Sequence, residues 1–145
     1  MPIKTFRGKI ADGAIETIPL HTNDGSVGYK IVKFLCMPDT PGTNQTEAIL
    51  NLFTVPQTTA VNTIDFSDQT LIGSIFQATS NGSNEAFAEE IVIVFDNMIF
   101  NQDLFLTAKE KVGARDTNYH IELEQVKLDL NQNTVATLKD IRNNA

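Results

Sequence analysis

Apolar positions along this chain come in short alternating runs separated by turn-forming residues, and the densest run is residues 91–95, Ile-Val-Ile-Val-Phe. A stretch that short, rich in β-branched residues, predicts a strand buried on both faces rather than a helix. Asp96-Asn97 supplies turn chemistry after it, Asn101-Gln102-Asp103 punctuates again, and a second apolar run covers Leu104 to Leu106. The other elements are expected to assemble around this centre.

Residues 3–9 and 14–20 read as a first pair of strands joined through the turn signal Asp12-Gly13. In the first, Ile3, Thr5, Arg7 and Lys9 share one face and Lys4, Phe6 and Ile10 the other. After the turn residues 22–26 comes a strand over 27–37. Both of its faces are apolar from Ile31 onward, which predicts a place in the middle of a sandwich. Residues 38–45 form a loop with two prolines and a glycine. Residues 47–55 fit a short helix or a strand, and Asn51, Thr54 and Val55 favour the strand. An irregular Thr-rich segment covers 56–63. The strand at 69–77 contains Gly73, a mark of a bulge or of close backbone packing. Residues 78–85 read as a polar loop projecting into solvent, and 109–117 as a charged turn.

Residues 118–130 form the longest alternating stretch, with a change of phase inside it. Tyr119, Ile121 and Leu123 are odd-numbered, whereas Val126, Leu128 and Leu130 are even-numbered. Either a bulge near Glu124-Gln125 keeps one continuous apolar face, or the strand buries one face first and the opposite face later. From Asn131 the chain is polar, and Val135, Leu138 and Ile141 have weak helical spacing. With about eight strands and no strong helix, the expected fold is all-β: an antiparallel two-sheet β-sandwich, jelly-roll-like or immunoglobulin-like. The immunoglobulin Cys, Trp, Cys signature is absent. The expected division is a sandwich domain over 1–131 and a short polar C-terminal arm or tail over 132–145.

At 145 residues, 41% of them hydrophobic and 20% charged, the chain is long enough to bury a core as one domain. Its longest apolar run falls far short of the roughly 18 to 20 residues of a membrane-spanning helix, and no signal peptide is visible. The single cysteine, Cys36, lies within a strand pattern and reads as a small buried hydrophobe. A net charge of −7 argues against general nucleic-acid binding. The charge is also uneven: Lys4, Arg7, Lys9, Lys30 and Lys33 lie near the start, and no Lys or Arg occurs between Lys33 and Lys109, where nine acidic residues lie. That is either a solubility device or a docking face for a basic partner or a neighbouring copy.

Candidate chemistry is sparse. His21 and His120 are the only histidines, and neither stands in a zinc-ligand spacing. No nucleophile elbow and no glycine-rich phosphate loop occurs, so neither an enzyme nor a cofactor is expected. Asp65, Ser67 and Asp68, then Asp96, Asn97 and Asp103, then Asn23 and Asp24 could offer oxygen ligands to calcium, but none matches a calcium-loop pattern; turn and capping chemistry is the simpler reading. Without tryptophan, and with only Tyr29 and Tyr119 as tyrosines, the chain is poor in sugar-stacking residues.

Three stretches carry a family likeness: Lys4-Thr5-Phe6-Arg7-Gly8-Lys9-Ile10-Ala11-Asp12-Gly13; Val27-Gly28-Tyr29-Lys30-Ile31-Val32-Lys33-Phe34; and Ile93-Val94-Phe95-Asp96-Asn97 through Phe100-Asn101-Gln102-Asp103, followed by Tyr119-His120-Ile121-Glu122-Leu123-Glu124. Their combination resembles small structural proteins of marine tailed phages, such as those infecting cyanobacteria and other abundant ocean bacteria. The resemblance runs over about residues 3–130, outside the lysine-poor middle and the last fifteen residues. It implies a virion component, assembled in the host cytoplasm. The leading expectation is a capsid decoration or cement protein binding the major capsid protein, other virion proteins and copies of itself, but neither nucleic acid nor membrane. Lys4, Arg7 and Lys9 are candidates to face an acidic partner. Val135, Leu138 and Ile141 are candidates in an arm that could augment a neighbour's sheet. A tail or neck component is the close alternative, followed by a carbohydrate-binding module and then a hydrolase.

Overall fold

The computed structural model of the chain describes residues 3–20, 27–39, 46–79, 89–95, 99–110 and 115–128. Among these there is no helix. Eight strands follow one another: β1 (Ile3–Ile10), β2 (Ile15–Ile18), β3 (Val27–Pro38), β4 (Thr46–Phe53), β5 (Leu71–Thr79), β6 (Glu89–Val94), β7 (Leu104–Glu110) and β8 (Thr117–Lys127). They form a three-stranded sheet, order β1-β8-β3, and a five-stranded sheet, order β2-β7-β4-β5-β6, with every pairing antiparallel. The interleaving of β1-β8-β3 with β2-β7-β4-β5 is the jelly-roll arrangement of two Greek keys. The sixth strand extends the second sheet to five strands rather than evening the two at four.

Alternation decides which residues fill the space between the sheets. Ile10, Phe34, Ile121 and Leu123 project from the smaller sheet onto Ile18, Leu50, Leu52, Ile75, Leu104 and Leu106 of the larger one. Each such side chain contributes about 1.5–3 kcal/mol when fully buried. β4 is a strand rather than a helix, as Asn51 favoured, but it ends at Phe53, before Thr54 and Val55. Cys36 is buried, with its thiol donating to Gln77 Oε1 at 3.4 Å.

A bulge shapes β3. Ile31 faces Leu123, but the next partner of β8, Glu122, faces Lys33, so Val32 is left out of the ladder. The inward set therefore switches from Tyr29 and Ile31 to Phe34 and Cys36. The two-faced apolar character of residues 31–37 comes partly from this phase shift and partly from Leu35 and Met37, which face outward. β3 consequently does not run through the middle of a sheet: it is an edge strand, and β8 is the central one. β8 itself carries no bulge at Glu124-Gln125, because its register with β3 is continuous from Val27–Lys127 to Ile31–Leu123. Instead it buries the opposite parity further on, with Leu128 packed near Gly28.

Two more expectations change. The first two strands are not a hairpin pair; β1 pairs with β8 and β2 with β7, so the turn between them crosses from one sheet to the other. It is a tight turn, Ala14 N–H donating to the Ala11 carbonyl at 3.0 Å, with Gly13 at φ +79°, a conformation that favours glycine. The Asp12 carboxylate accepts from Glu110 N–H at 2.7 Å and ties the turn to β7. The run at 91–95 is also not buried on both faces: β6 lies at the edge of the five-stranded sheet, with Ile91 57% exposed. Near Gly73 both anticipated features occur. The β4–β5 register shifts there, skipping Ile72, and the Phe34 ring sits 3.2 Å from where a Cβ on Gly73 would be.

Candidate interaction surface

The outer face of the three-stranded sheet is a ruled surface whose rows follow from the registers. Ile3 lines up with Glu124 and Lys30, Thr5 with Glu122 and Lys33, Arg7 with His120 and Leu35, and Lys9 with Asn118 and Met37. Lys30 and Lys33 share this face only because the Val32 bulge lies between them. Lys30 Nζ sits 3.3 Å from Glu124 Oε2, and Glu122 Oε2 lies 2.8 Å from His120 Nε2 and 3.7 Å from Lys33 Nζ. The hydrogen bond with His120, aided by the Lys33 ammonium, holds the Glu122 carboxyl below the usual carboxylate range. Pairs this exposed fix side-chain positions more than they stabilise the fold.

Arg7 and Lys9 make no ion pair among the described residues, and both are exposed. Beside them lie Val32, Leu35 and Met37, the last 59% exposed. A shallow groove of about 310 Å³ lies between Leu35, Met37, Asn118 and His120. Chemically this face can offer cations and aliphatic contact over a flat area, which suits docking on a surface that is both acidic and apolar. Among the described residues no group of three or more His, Cys, Asp or Glu side chains could hold a metal ion.

Lys4 does not join this face. It lies on the opposite side of β1, its Nζ 5.5 Å from the Phe6 ring and 5.8 Å from the ring of buried Tyr29, at one end of the core. Of the basic residues singled out at the chain's start, Arg7 and Lys9 are brought together and Lys4 is separated from them. Val135, Leu138 and Ile141, His21, the turn at 22–26, Asp96-Asn97 and the polar loop at 80–84 lie outside the described residues.

The other sheet's outer face is partly closed by the connection between β4 and β5. Asn51 is 1% exposed there; it accepts from Ser74 Oγ at 2.8 Å and donates through Nδ2 to the Thr63 carbonyl at 3.3 Å. Thr54 N–H closes the base of the connection on the Thr70 carbonyl at 2.9 Å. Asp65 and Asp68, candidates for calcium in the sequence, serve as turn acceptors. Asp65 Oδ1 accepts from Ser67 N–H at 2.9 Å and Oγ at 2.5 Å, and Asp68 Oδ1 from Thr70 N–H at 2.9 Å and Oγ1 at 2.6 Å. The Ser67 hydroxyl and amide hold the Asp65 carboxyl below its ordinary range. Asp103 accepts from Leu20 N–H at 2.8 Å.

Where this cover stops, an apolar patch begins. Ile91 and Ile93 on β6 are exposed, and Phe66 packs edge-on to Phe95 with ring centroids 5.2 Å apart. Sequence reasoning missed both exposed apolar patches, since it assigned Val32, Leu35, Met37, Ile91 and Ile93 to an interior. One signal was available for β3: Lys30 and Lys33 stand three apart, and only a bulge puts both on one face.

Charge separates with the sheets. β1, β3 and β8 carry Lys4, Arg7, Lys9, Lys30, Lys33 and Lys127 against Glu122 and Glu124. The five-stranded sheet carries Glu16, Glu47, Glu89, Glu90 and Glu110 against Lys109. Most of the lysine-free middle, β4 to β6 and much of β7, thus lies in the five-stranded sheet, where Glu16 bonds Tyr119 across the core and Glu110 is buried. No family model and no curated protein matches the chain.

Proposed function

We propose that this protein is a structural component of a phage virion, a decoration or cement protein that binds the outer shell through the uncovered face of its three-stranded sheet. The observation that carries this reading is the composition of that face. Arg7 and Lys9 on β1 share the face with Leu35 and Met37 on β3, one strand away across β8, with Val32 exposed at the bulge, and no other described segment covers it. Flat, mixed apolar and cationic surfaces suit docking against another protein better than enclosing a small molecule. A tail or neck position would use the same surface. The groove beside His120 has aliphatic walls at Leu35 and Met37, and the Tyr119 side chain that also borders it turns inward to Glu16, which gives a sugar little to stack on.

The test is co-sedimentation of the purified protein with phage heads, titrated to saturation and repeated at raised salt, beside the double variant Arg7→Glu, Lys9→Glu. Saturable binding at many copies per head, weakened by salt and lost in the variant, is expected. Absence of head binding together with binding to isolated tails would move the assignment to the tail. Binding to neither would end the virion reading.

A further inference from the structure

Four strands end the two sheets, and three of them are guarded against pairing with another chain. β1 carries Lys4, Arg7 and Lys9; β2 is four residues long. β3 combines Lys30, Lys33, the Val32 bulge and Pro38, and near its start Tyr29 is bridged to Phe100 by two backbone hydrogen bonds of 2.8 and 3.0 Å. Lysines, proline, bulges and shortness are the usual means by which sheet edges avoid association. β6 has none of them. After Glu89-Glu90 it continues as Ile91 to Phe95, its register with β5 is unbroken, and among the described residues no strand pairs with its far side.

The phase of the free edge follows from one hydrogen bond. Phe95 N–H donates to the Ile72 carbonyl at 3.2 Å, so by antiparallel alternation residues 91, 93 and 95 turn their backbone groups toward β5. Residues 90, 92 and 94 then present N–H and C=O groups at the open edge. We propose that β6 is a self-association edge: two copies pair β6 with β6 in antiparallel fashion about a two-fold axis at Val92, joining their five-stranded sheets into one.

A second copy is favoured because the strand is complementary to its own reverse, as an isologous interface requires. About Val92, the bonding positions 90, 92 and 94 map onto 94, 92 and 90, which closes about six backbone hydrogen bonds. Ile91 lands opposite Ile93, so the exposed isoleucines of the two copies meet on one side of the joined sheet. The strand's only charges, Glu89 and Glu90, fall opposite Phe95 and Val94 rather than opposite each other. A strand from a different protein would need none of this symmetry. The Phe66–Phe95 pair lies beside the isoleucines and enlarges the apolar contact. The proposal stands on edge geometry alone and is independent of head binding.

Sedimentation velocity on the full chain, from about 1 to about 200 μM to cover the affinities a small interface reaches, is the first measurement. Val92→Pro removes an N–H that faces the open edge, so no bond to β5 is lost; Ile91→Lys places a charge at an exposed position. The wild type is expected to reach dimer mass with rising concentration. Both variants should stay monomeric, with circular dichroism and thermal midpoint near those of the wild type. Register is read by cross-linking. Residues 91 and 93 of opposite copies form a non-hydrogen-bonded pair with Cα atoms about 4.5 Å apart, within disulfide reach. A mixture of Ile91→Cys and Ile93→Cys should therefore oxidise to a cross-linked dimer, whereas either variant alone should not. A monomer at every concentration overturns the proposal. So does a dimer that survives both edge variants, or cross-linking by one cysteine variant alone as efficient as in the mixture.

Discussion

Replacing Tyr119 by phenylalanine removes one oxygen and tests how the two sheets are tied together. Tyr119 projects inward from β8 and donates its hydroxyl to Glu16 Oε2 on β2 at 2.7 Å, joining one sheet to the other. Its ring has room to do so because the paired residue on β1 is Gly8, where a Cβ would lie 2.9 Å from the Tyr119 oxygen. A hydrogen bond to a charged acceptor contributes about 1.5–3 kcal/mol, and partial exposure of this pair reduces that to about 1–2 kcal/mol. The bond also ties stability to pH. Burial, and then the Glu16 carboxylate, push the Tyr119 hydroxyl up to about 12 from its ordinary value near 10. A group whose pKa is raised on folding contributes fully below its unfolded value and loses that contribution as pH climbs through the folded one. In the window from about 10 to about 12 the unfolded chain gives up the proton first, so wild-type stability falls there. A full shift of that size corresponds to about 2.7 kcal/mol, and screening at a half-buried site reduces it to about 1 kcal/mol. Urea unfolding of wild type and Tyr119→Phe at about pH 8 and about pH 11.5 separates this effect from every other pH effect, which both proteins share. The wild type should be the more stable at the lower pH, and the gap should narrow by about 1 kcal/mol at the higher one. Equal stability at pH 8, or a gap that does not change, would refute the reasoning.

Other consequences follow from the packing. Leu50→Ala empties a fully buried position facing the opposite sheet and should cost about 2–5 kcal/mol in chemical unfolding, with no change in slope. Asn51→Ala strands the Ser74 hydroxyl and releases the Thr63 carbonyl; a loss of about 2–3 kcal/mol is expected, with new proteolytic cleavage confined to residues 54–70. Gly8→Val drives a side chain into the Tyr119 ring and should cost about 1–3 kcal/mol. Because that cost includes the bond to Glu16, it should shrink in the Tyr119→Phe background, which a double-mutant cycle measures.

The fold class was legible because alternation and turn residues mark strands locally. Eight strands in two sheets follow from period-two patterning, and the ambiguous stretch 47–55 resolves as strand up to Phe53, with Thr54 and Val55 beyond its end. What alternation cannot report is which strand lies beside which. Asp12-Gly13 has the same local chemistry whether it closes a hairpin or carries the chain from one sheet to the other, and here it does the second. A bulge likewise leaves a trace that can be read two ways. The apolar residues on both parities of β3 mimic a strand buried on both faces, and the spacing of Lys30 and Lys33 separates the two readings only once their shared partner strand is known. Arg7 and Lys9 were legible as one face by the same alternation that sends Lys4 to the other, so grouping the three by charge alone lost information the strand period contained.

β6 is the more instructive misreading. Ile91 to Phe95 has the composition of a strand covered on both faces and paired on both edges, yet among the described residues it is paired on one edge and leaves Ile91 and Ile93 exposed. Composition of that kind reflects how much water a strand meets in its working state, which for an associating protein is the assembly rather than the isolated chain. β3 makes the contrast within the same molecule: it too is an edge with outward apolar residues, but its lysines, bulge and proline oppose backbone pairing while leaving its outer face free for docking. The two exposed apolar surfaces therefore differ in the contact they permit. The β3 face admits side-chain contact with a surface of opposite charge, and the β6 edge admits a strand.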